Sequence, residues 1–369
     1  METVSFLLQE GGMMLEHLIL VINPGSTSTK IAVFKNELSL MEIKISHPTE
    51  VIQSFPSVAS QFTFRKEMII KSLQDKNFDL KTLSAVCGRG GMLAPMESGT
   101  YLINEKMLNF LKEAKRGEHA SNLGALIAHD IGLSYHIPAF IVDPVAVDEM
   151  EAIARISGMP LIERRCIFHA LNHKAIGRRV AQDHGRRYED LNLIVAHLGG
   201  GISVGAHQKG RVIDVNDALD GDGPMSPERS GSVPLGPLYR LCLSGKYTLE
   251  DIKRMNYGKG GLVAYLGTND AKEVVKRIEQ HDEHAKLIYE AMIYQIAKEI
   301  GACATIFKGQ FDFIVLTGGL AYEPYLVTHL IERIKFLGQV LVYPGENEML
   351  SLALGALRVL NQEEQPKTY

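Results

Sequence analysis

The sequence predicts an α/β protein made of two similar domains, each built on a mixed sheet, that face one another across a central cleft. Three observations lead there. Short apolar runs (LILVIN, KIAVF, LSAVCG, TYLIN, AFIVD, LNLIVAH, ISVGAH, GRVIDV, DFIVLTG, QVLVYPG) alternate with stretches of helical spacing, the pattern of an α/β fold. Several neighbouring runs are joined by short turns, so antiparallel hairpins accompany the parallel strands and the sheets are mixed. The chain also repeats itself. LILVIN-PGSTST aligns with NLIVAH-LGGGIS at an offset of 174 residues, which sets Asn23 over His197 and Gly25 over Gly199. A strand, a Gly and hydroxyl turn and a returning strand thus occur twice, as a duplicated domain requires.

Taken in order, the chain opens with METVSFLLQEGGMM, which lacks the basic start of a signal peptide. QEGG ahead of Met13 and Met14 reads as a translated ribosome-binding sequence, so residues 1–14 are expected to be an extension outside the fold. The first hairpin follows, then helical patterns at 107–115 and 120–135. The strand AFIVDP ends at Asp143 and Pro144, where the chain is expected to cross to the second domain. Helical patterns at 165–184, 271–307 and 325–337 belong to that domain. The last helix, in ENEMLSLALGALRVL, spaces Leu350, Leu354 and Leu357 for one buried face and is expected to return to the first domain. The resulting division is domain I, 15–147 plus 346–369, and domain II, 148–345, with hinges near 143–150 and 345–348.

With 369 residues there is room for two to three domains of ~150 residues. Apolar residues at 46% and charged residues at 22% exclude disordered and fibrous classes. A net charge of −4 gives no footprint for nucleic acid. The cysteines, Cys87, Cys166, Cys242 and Cys303, show no C-x-x-C spacing, which argues against a zinc site or a disulfide framework and for a reducing cytoplasm. The most continuous apolar segment, 288–307, carries Glu290, Gln295, Lys298 and Glu299 and is too polar to span a membrane.

Three turns carry chemistry. In the first, Ser26, Thr27, Ser28 and Thr29 offer hydroxyl and backbone donors and Lys30 adds a cation, which suits a phosphate. It is not a Walker loop, and a plain Ser/Thr-rich surface turn is the alternative. In the second, Gly199, Gly200 and Gly201 let a backbone approach a ligand closely. His197 beside them is either a satisfied core histidine or part of the site. In the third, Gly318 and Gly319 at a strand-to-helix crossing suit the packing of a flat ring or a sugar, the alternative being a bare connecting loop.

In this order the segments resemble the acetate, propionate and butyrate kinase family of the actin-like ATPase (ribonuclease H-like) superfamily, most closely its butyrate kinase branch. The family's N-x-G-S-[ST]-S-x-K is met by Asn23, Gly25, Ser26, Thr27, Ser28 and Lys30, and its H-x-G-x-G-x-S by His197, Gly199, Gly201 and Ser203. The likeness runs from Leu18 to Leu360. It implies ATP/ADP and Mg²⁺, a small carboxylic acid substrate and a homo-oligomer, with no nucleic acid or membrane partner. Asn23, Ser26, Ser28 and Lys30 would form one phosphate turn, and His197, Gly199, Gly200 and Gly201 the other. Gly318 and Gly319 would lie against the adenosine. Arg89 in VCGRGG and Arg229 in SPERSG resemble the two substrate arginines, and Asp143 and Glu346 the acids that hold magnesium. His169 stands where the family has a histidine beside the transferring phosphoryl group.

Each of these has a plainer reading. Arg229 follows Glu228 and suits a solvated local pair; Asp143 before Pro144 suits a turn cap. Arg89, among Gly88, Gly90 and Gly91, is poorly set for a structural salt bridge. The pairs Arg164–Arg165, Arg178–Arg179 and Arg186–Arg187 read as solvated helix faces.

The implied reaction needs no general base, because a fatty acid is already ionised at neutral pH. It needs cations that bring two anions together. Acetate kinases have bulkier residues where this chain has Gly90 and Gly91, and resemble F-H-G-T-S-H and H-L-G-N-G where this chain has FHALNH and HLGGG. The lost volume predicts a longer tail, butyrate or a branched short-chain acid. A sugar or polyol kinase of the same superfamily is the rival enzyme reading, and a non-catalytic actin-like switch protein the rival outside enzymes. The arginine pair argues against a neutral sugar, and no helix-turn-helix or peptide-binding addition is visible.

Overall fold

The computed structural model describes residues 15–369, and the extension expected at 1–14 lies outside the described residues. The strands are β1 (Leu18–Pro24), β2 (Ser28–Lys35), β3 (Leu38–Ser46), β4 (Ala85–Gly88), β5 (Thr100–Leu102), β6 (Ala139–Val142), β7 (Asn192–Leu198), β8 (Ile202–Gln208), β9 (Arg211–Val215), β10 (Phe313–Gly318), β11 (Val340–Pro344) and β12 (Lys367–Thr368). They form two mixed sheets, β12-β5-β6-β4-β1-β2-β3 and β11-β10-β7-β8-β9. The run β3-β2-β1-β4-β6 is repeated by β9-β8-β7-β10-β11. Each is an antiparallel meander whose first strand pairs in parallel with a fourth strand, which in turn pairs in parallel with a fifth. The repeat seen in the sequence is therefore a repeat of topology.

Central strands are apolar on both faces because helices cover both. In β1, Leu20 and Ile22 pack with residues of helices Phe62–Gln74 and Asn122–Tyr135, whereas Ile19 and Val21 face the returning helix Glu348–Leu360. Gly355 of that helix is needed for the approach: a Cβ there would lie 3.0 Å from Val142 Cβ. The second sheet packs its core against the long helix Glu283–Ile306, and its other face receives Tyr188 and helix Ala170–Asp183.

Several expectations change. The pattern at 271–307 is two helices, Ala271–Glu279 and Glu283–Ile306, broken at His281 with φ +64°. The second starts because Asp282 caps it, accepting from the Ala285 amide at 2.9 Å. The region 165–184 is helical only from Ala170. Edge strand β3 and helix Phe62–Gln74 were not anticipated. The arginine pairs are not all solvated: Arg178 donates to Asp143 Oδ2 at 2.8 Å and Arg164 to Asp214 Oδ1 at 2.8 Å. All four cysteines are free, three of them buried. Among the described residues no helix is long and apolar enough to cross a membrane.

Candidate active site

The first turn is shaped by an arginine that the sequence reading overlooked. Arg65 is buried, and its guanidinium donates to the carbonyls of Gly25 (2.8 Å), Ser28 (3.2 Å) and Ser26 (3.0 Å) and to Thr29 Oγ1 (3.2 Å). The Thr27 carbonyl is taken by the His47 amide at 2.8 Å. With its carbonyls drawn to one side, the turn leaves the Ser26 and Thr27 amides without a partner among the described residues. Such a run of free amides is an anion-binding concavity. Lys30 sits exposed at the end of the same hairpin, in register with Asn23.

A cavity of about 650 Å³ opens beside this turn, lined by Asn23, Ser28, Lys30, Arg89, Asp143, His169, Arg229 and Glu348 among others. Arg89 projects from the end of β4, where Gly88 and Gly124 let strand and helix nearly touch: a Cβ on Gly124 would lie 2.8 Å from the Arg89 amide. Contrary to expectation, Arg89 makes a salt bridge, through Nη1 to Glu348 Oε1. Glu348 Oε2 also accepts from Asn23 Nδ2 at 2.9 Å. Arg89 Nε and Nη2 remain without a partner among the described residues.

Gly90 lines the cavity through its backbone, but neither glycine after Arg89 leaves room where a side chain would stand, which corrects the sequence-based account of tail length. A Cβ on Gly91 would stand 2.6 Å from Asn122 Cα, and one on Gly90 3.2 Å from Pro144 Cα. Both are contacts of packing. Apolar wall comes instead from Val145, Ile167, Phe168, Leu171 and Leu219.

Arg229 enters from the loop after β9. Its guanidinium lies 5.1 Å from the centre of the Tyr257 ring, and its Nε is buried with no hydrogen-bond partner among the described residues. Burial lowers its pKa, though a guanidinium stays charged. Gly201 is what gives it room, since a Cβ there would lie 2.5 Å from Arg229 Cζ. The Gly200 carbonyl accepts from Ser226 Oγ at 2.6 Å and the Gly199 amide donates to Gly201 at 3.2 Å. The triple glycine thus seats the arginine loop. It does not line the cavity itself.

His169 lines the cavity and stacks on His197 with ring centres 3.8 Å apart. Burial, followed by the neighbouring His197, holds the His169 pKa well below the usual histidine value. His197 stands behind it: its Nδ1 meets Asn172 Oδ1 at 2.7 Å, and Asn172 is oriented by donating to the carbonyls of Gly345 and Glu346.

Asp143 and Glu346 differ from expectation. Asp143, with φ +36°, is buried, and its carboxylate accepts from the Gly99 amide at 2.7 Å and from Arg178 at 2.8 Å. Both oxygens are engaged, so it ties β6 to helix Ala170–Asp183. Glu346 is exposed outside the cavity, 3.5 Å from His197 Nε2, and hydrogen bonding to that histidine lowers its pKa. Two residues on, in the first turn of its helix, Glu348 points into the cavity. Ser26 is exposed and contributes only its carbonyl to Arg65.

Gly318 has φ +89° and packs on Leu198, whose carbonyl carbon a Cβ would meet at 2.8 Å; Gly319 faces open space. Neither lines the cavity. The sequence reading also missed His119, in the cavity wall and 2.7 Å from Ser121 Oγ.

Among the described residues no cluster of three ligating side chains forms a metal site. Magnesium keeps waters and binds through one or two carboxylates plus substrate phosphates. Glu348, half-buried in the cavity lining and held only by side chains that a cation could displace, is a carboxylate that could reach such an ion.

The profile of the acetokinase family matches residues 146–363, more than half of the chain. Among solved structures, Porphyromonas gingivalis acetate kinase superposes with a TM-score of 0.76 at 21% identity, over 93% of this chain and 100% of that one. A propionate kinase from Francisella tularensis subsp. tularensis SCHU S4 gives 0.73 at 22%, over 92% and 98%. Entamoeba histolytica acetate kinase gives 0.71 at 19%, again over 92% and 98%. With its pair of mixed sheets, the chain belongs to the acetokinase family, ATP-using kinases that transfer phosphate to a short-chain carboxylate.

Proposed function

We propose that the protein phosphorylates a four-carbon acid, butanoate or a branched relative such as 2-methylpropanoate, forming an acyl phosphate and ADP by direct in-line transfer. The observation that carries this reading is the meeting of Arg89 from the first sheet and Arg229 from the second half of the chain in one cavity with an apolar wall. The acid's carboxylate, already an anion, pairs with Arg89 through the nitrogens that Glu348 leaves free. Its tail lies on Val145, Ile167 and Leu171. The terminal phosphate of ATP rests near the Ser26 and Thr27 amides and Lys30. Arg229, whose Nε has no partner among the described residues, takes up charge on the equatorial oxygens together with His169.

Glu348 would hold magnesium, which would supply neutralisation of charge on the nucleotide phosphates; Glu346, beside His197, would support it. Gly319, facing open space, leaves room for adenosine. The family further implies a homo-oligomer, and four free thiols suit the cytoplasm.

Each extra buried CH₂ is worth ~0.8 kcal/mol, so butanoate gains roughly 15-fold over acetate if both added carbons reach the wall. Hydroxamate trapping across a chain-length series of acids with MgATP measures this; a kcat/KM that peaks at acetate overturns the four-carbon assignment. Arg89→Ala is expected chiefly to raise the KM for the acid, and Arg229→Ala to lower kcat by orders of magnitude. Near-normal kinetics in both would remove the arginine pair from the mechanism.

A further inference from the structure

A buried chain of hydrogen bonds runs from His169 away from the cavity. His169 Nδ1 meets Ser203 Oγ at 2.9 Å, and Ser203 Oγ meets His173 Nε2 at 2.8 Å. His173 Nδ1 then meets His207 Nε2 at 3.1 Å, and His207 Nδ1 meets the Tyr188 hydroxyl at 2.7 Å. Ser203, His173, His207 and Tyr188 are all buried. Gly205 in β8 makes the space, since a Cβ there would press on His173 Nδ1 at 3.3 Å. Nothing in phosphoryl transfer as described above uses this chain.

The geometry points to Tyr188, His207, His173 and Ser203 as positioning residues that fix which ring nitrogen of His169 carries the proton. Each neutral imidazole has one N–H and one bare nitrogen, and a hydroxyl has one hydrogen to give. The links can therefore all point toward the cavity or all point away from it.

Tyr188 decides between the two. Its hydroxyl has no other hydrogen-bond partner among the described residues, so it must donate to His207 Nδ1. His207 then donates from Nε2 to His173 Nδ1, His173 from Nε2 to Ser203, and Ser203 to His169 Nδ1. His169 is left with its proton on Nε2, the nitrogen free of partners among the described residues, in the cavity wall. In the opposite direction the Tyr188 hydrogen would be buried with no acceptor, a penalty that separates the two arrangements by about one to two orders of magnitude. Burial supports the count of protons, because it pushes His173 and His207 well below the usual histidine pKa and Tyr188 well above the usual phenol value.

What the fixed proton does rests on the kinase reading: Nε2–H faces the phosphoryl oxygens as a donor, where the other tautomer would present a lone pair to an anion. The fixing itself does not rest on that reading.

The test is ¹⁵N NMR of histidine-labelled, ligand-free protein at about pH 8, with His169 assigned by its loss in His169→Gln. The expected wild-type spectrum shows Nε2 protonated and Nδ1 bare. Tyr188→Phe should bring the two tautomers of His169 to within a few-fold of each other and lower kcat ~2- to 10-fold, with the KM for acid and ATP within about 2-fold. Ser203→Ala should uncouple His169, so that adding Tyr188→Phe moves its tautomer no further. Protonated Nδ1 in the wild type overturns the inference without any variant, and so does an unchanged tautomer in folded Tyr188→Phe. A correct tautomer in a protein without carboxylate kinase activity would instead fault the functional reading and leave the relay standing.

Discussion

Replacing Gly201 by Ala tests what the second glycine turn is for. A Cβ at this position would stand 2.5 Å from Arg229 Cζ and 3.1 Å from Nη2, so the guanidinium must retreat by about an ångström, a misplacement that costs ~10²-fold when it affects a group at the reacting centre. Gly201 is outside the left-handed region, and the colliding atoms are the far end of a flexible side chain, so stability should change by less than ~1 kcal/mol. Steady-state kinetics are expected to show kcat reduced ~10²-fold with the KM for ATP nearly unchanged. Arg229→Ala should cost ~10³- to 10⁵-fold, as arginines in this role do elsewhere.

The double variant discriminates between the two accounts of the glycine. If Gly201 exists to make room for Arg229, Gly201→Ala adds nothing once Arg229 is gone. If instead it lets a phosphate approach the backbone, the two losses multiply. Additive effects, or a wild-type kcat in Gly201→Ala, would refute the reasoning.

Three further outcomes are expected. Arg65→Met strips the carbonyls of Gly25, Ser26 and Ser28 of their buried donor, so the unfolding free energy from urea titration should fall by ~3 kcal/mol or more and the KM for ATP should rise. Glu348→Gln should weaken the apparent magnesium affinity ~10-fold or more in a metal titration; an unchanged magnesium dependence removes Glu348 as the metal-facing acid. Finally, burial first, then neighbouring charge, depresses the pKa of His169, His173 and His207 from 6.5. The unfolded chain therefore binds protons that the folded chain refuses, stability is full above pH ~6.5, and it is lost as pH falls, by up to ~4 kcal/mol per pH unit for three histidines. Thermal unfolding between about pH 5 and 8 measures this, and a flat profile contradicts the buried neutral state.

The hairpins β1–β2 and β7–β8 were legible because their information is local: an apolar run, a glycine turn and a second run within twenty residues or so. Strand β3 was not, since this edge strand is mostly exposed or half-exposed and its polar residues leave no apolar run to find. The cavity residues fared according to how far their partners lie along the chain. Arg89 was picked out from its glycine setting, yet its partner Glu348 is 259 residues away. Sequence offered two acids in ENE, and only the position of the helix start decides which one turns inward. Arg65 gave no signal at all: a single arginine in a helix looks like a solvated one until the turn it supports, about 40 residues earlier, is placed over it. Gly91 shows the reverse error. The missing side chain was read as space for substrate, whereas the space belongs to Asn122.

A site that gathers two anions must hold several cations close together before either anion arrives, and this chain meets that difficulty by giving its two arginines provisional partners and leaving its lysine in water. Arg89 leans on Glu348, a carboxylate that a metal ion can share. Arg229 lies over the Tyr257 ring, a contact worth ~0.5–2 kcal/mol, while its Nε has no partner among the described residues. Lys30 remains exposed to water. None of these arrangements matches the bidentate, charge-assisted contact that a carboxylate or phosphate offers a guanidinium, so substrates can displace them. By contrast, the pairs that tie the chain together, Asp143 with Arg178 and Lys174 with Glu149, bury their acids completely or nearly so. The distinction between exchangeable and permanent ion pairs follows burial, and it separates the charges that act on substrate from those that hold the cleft in shape.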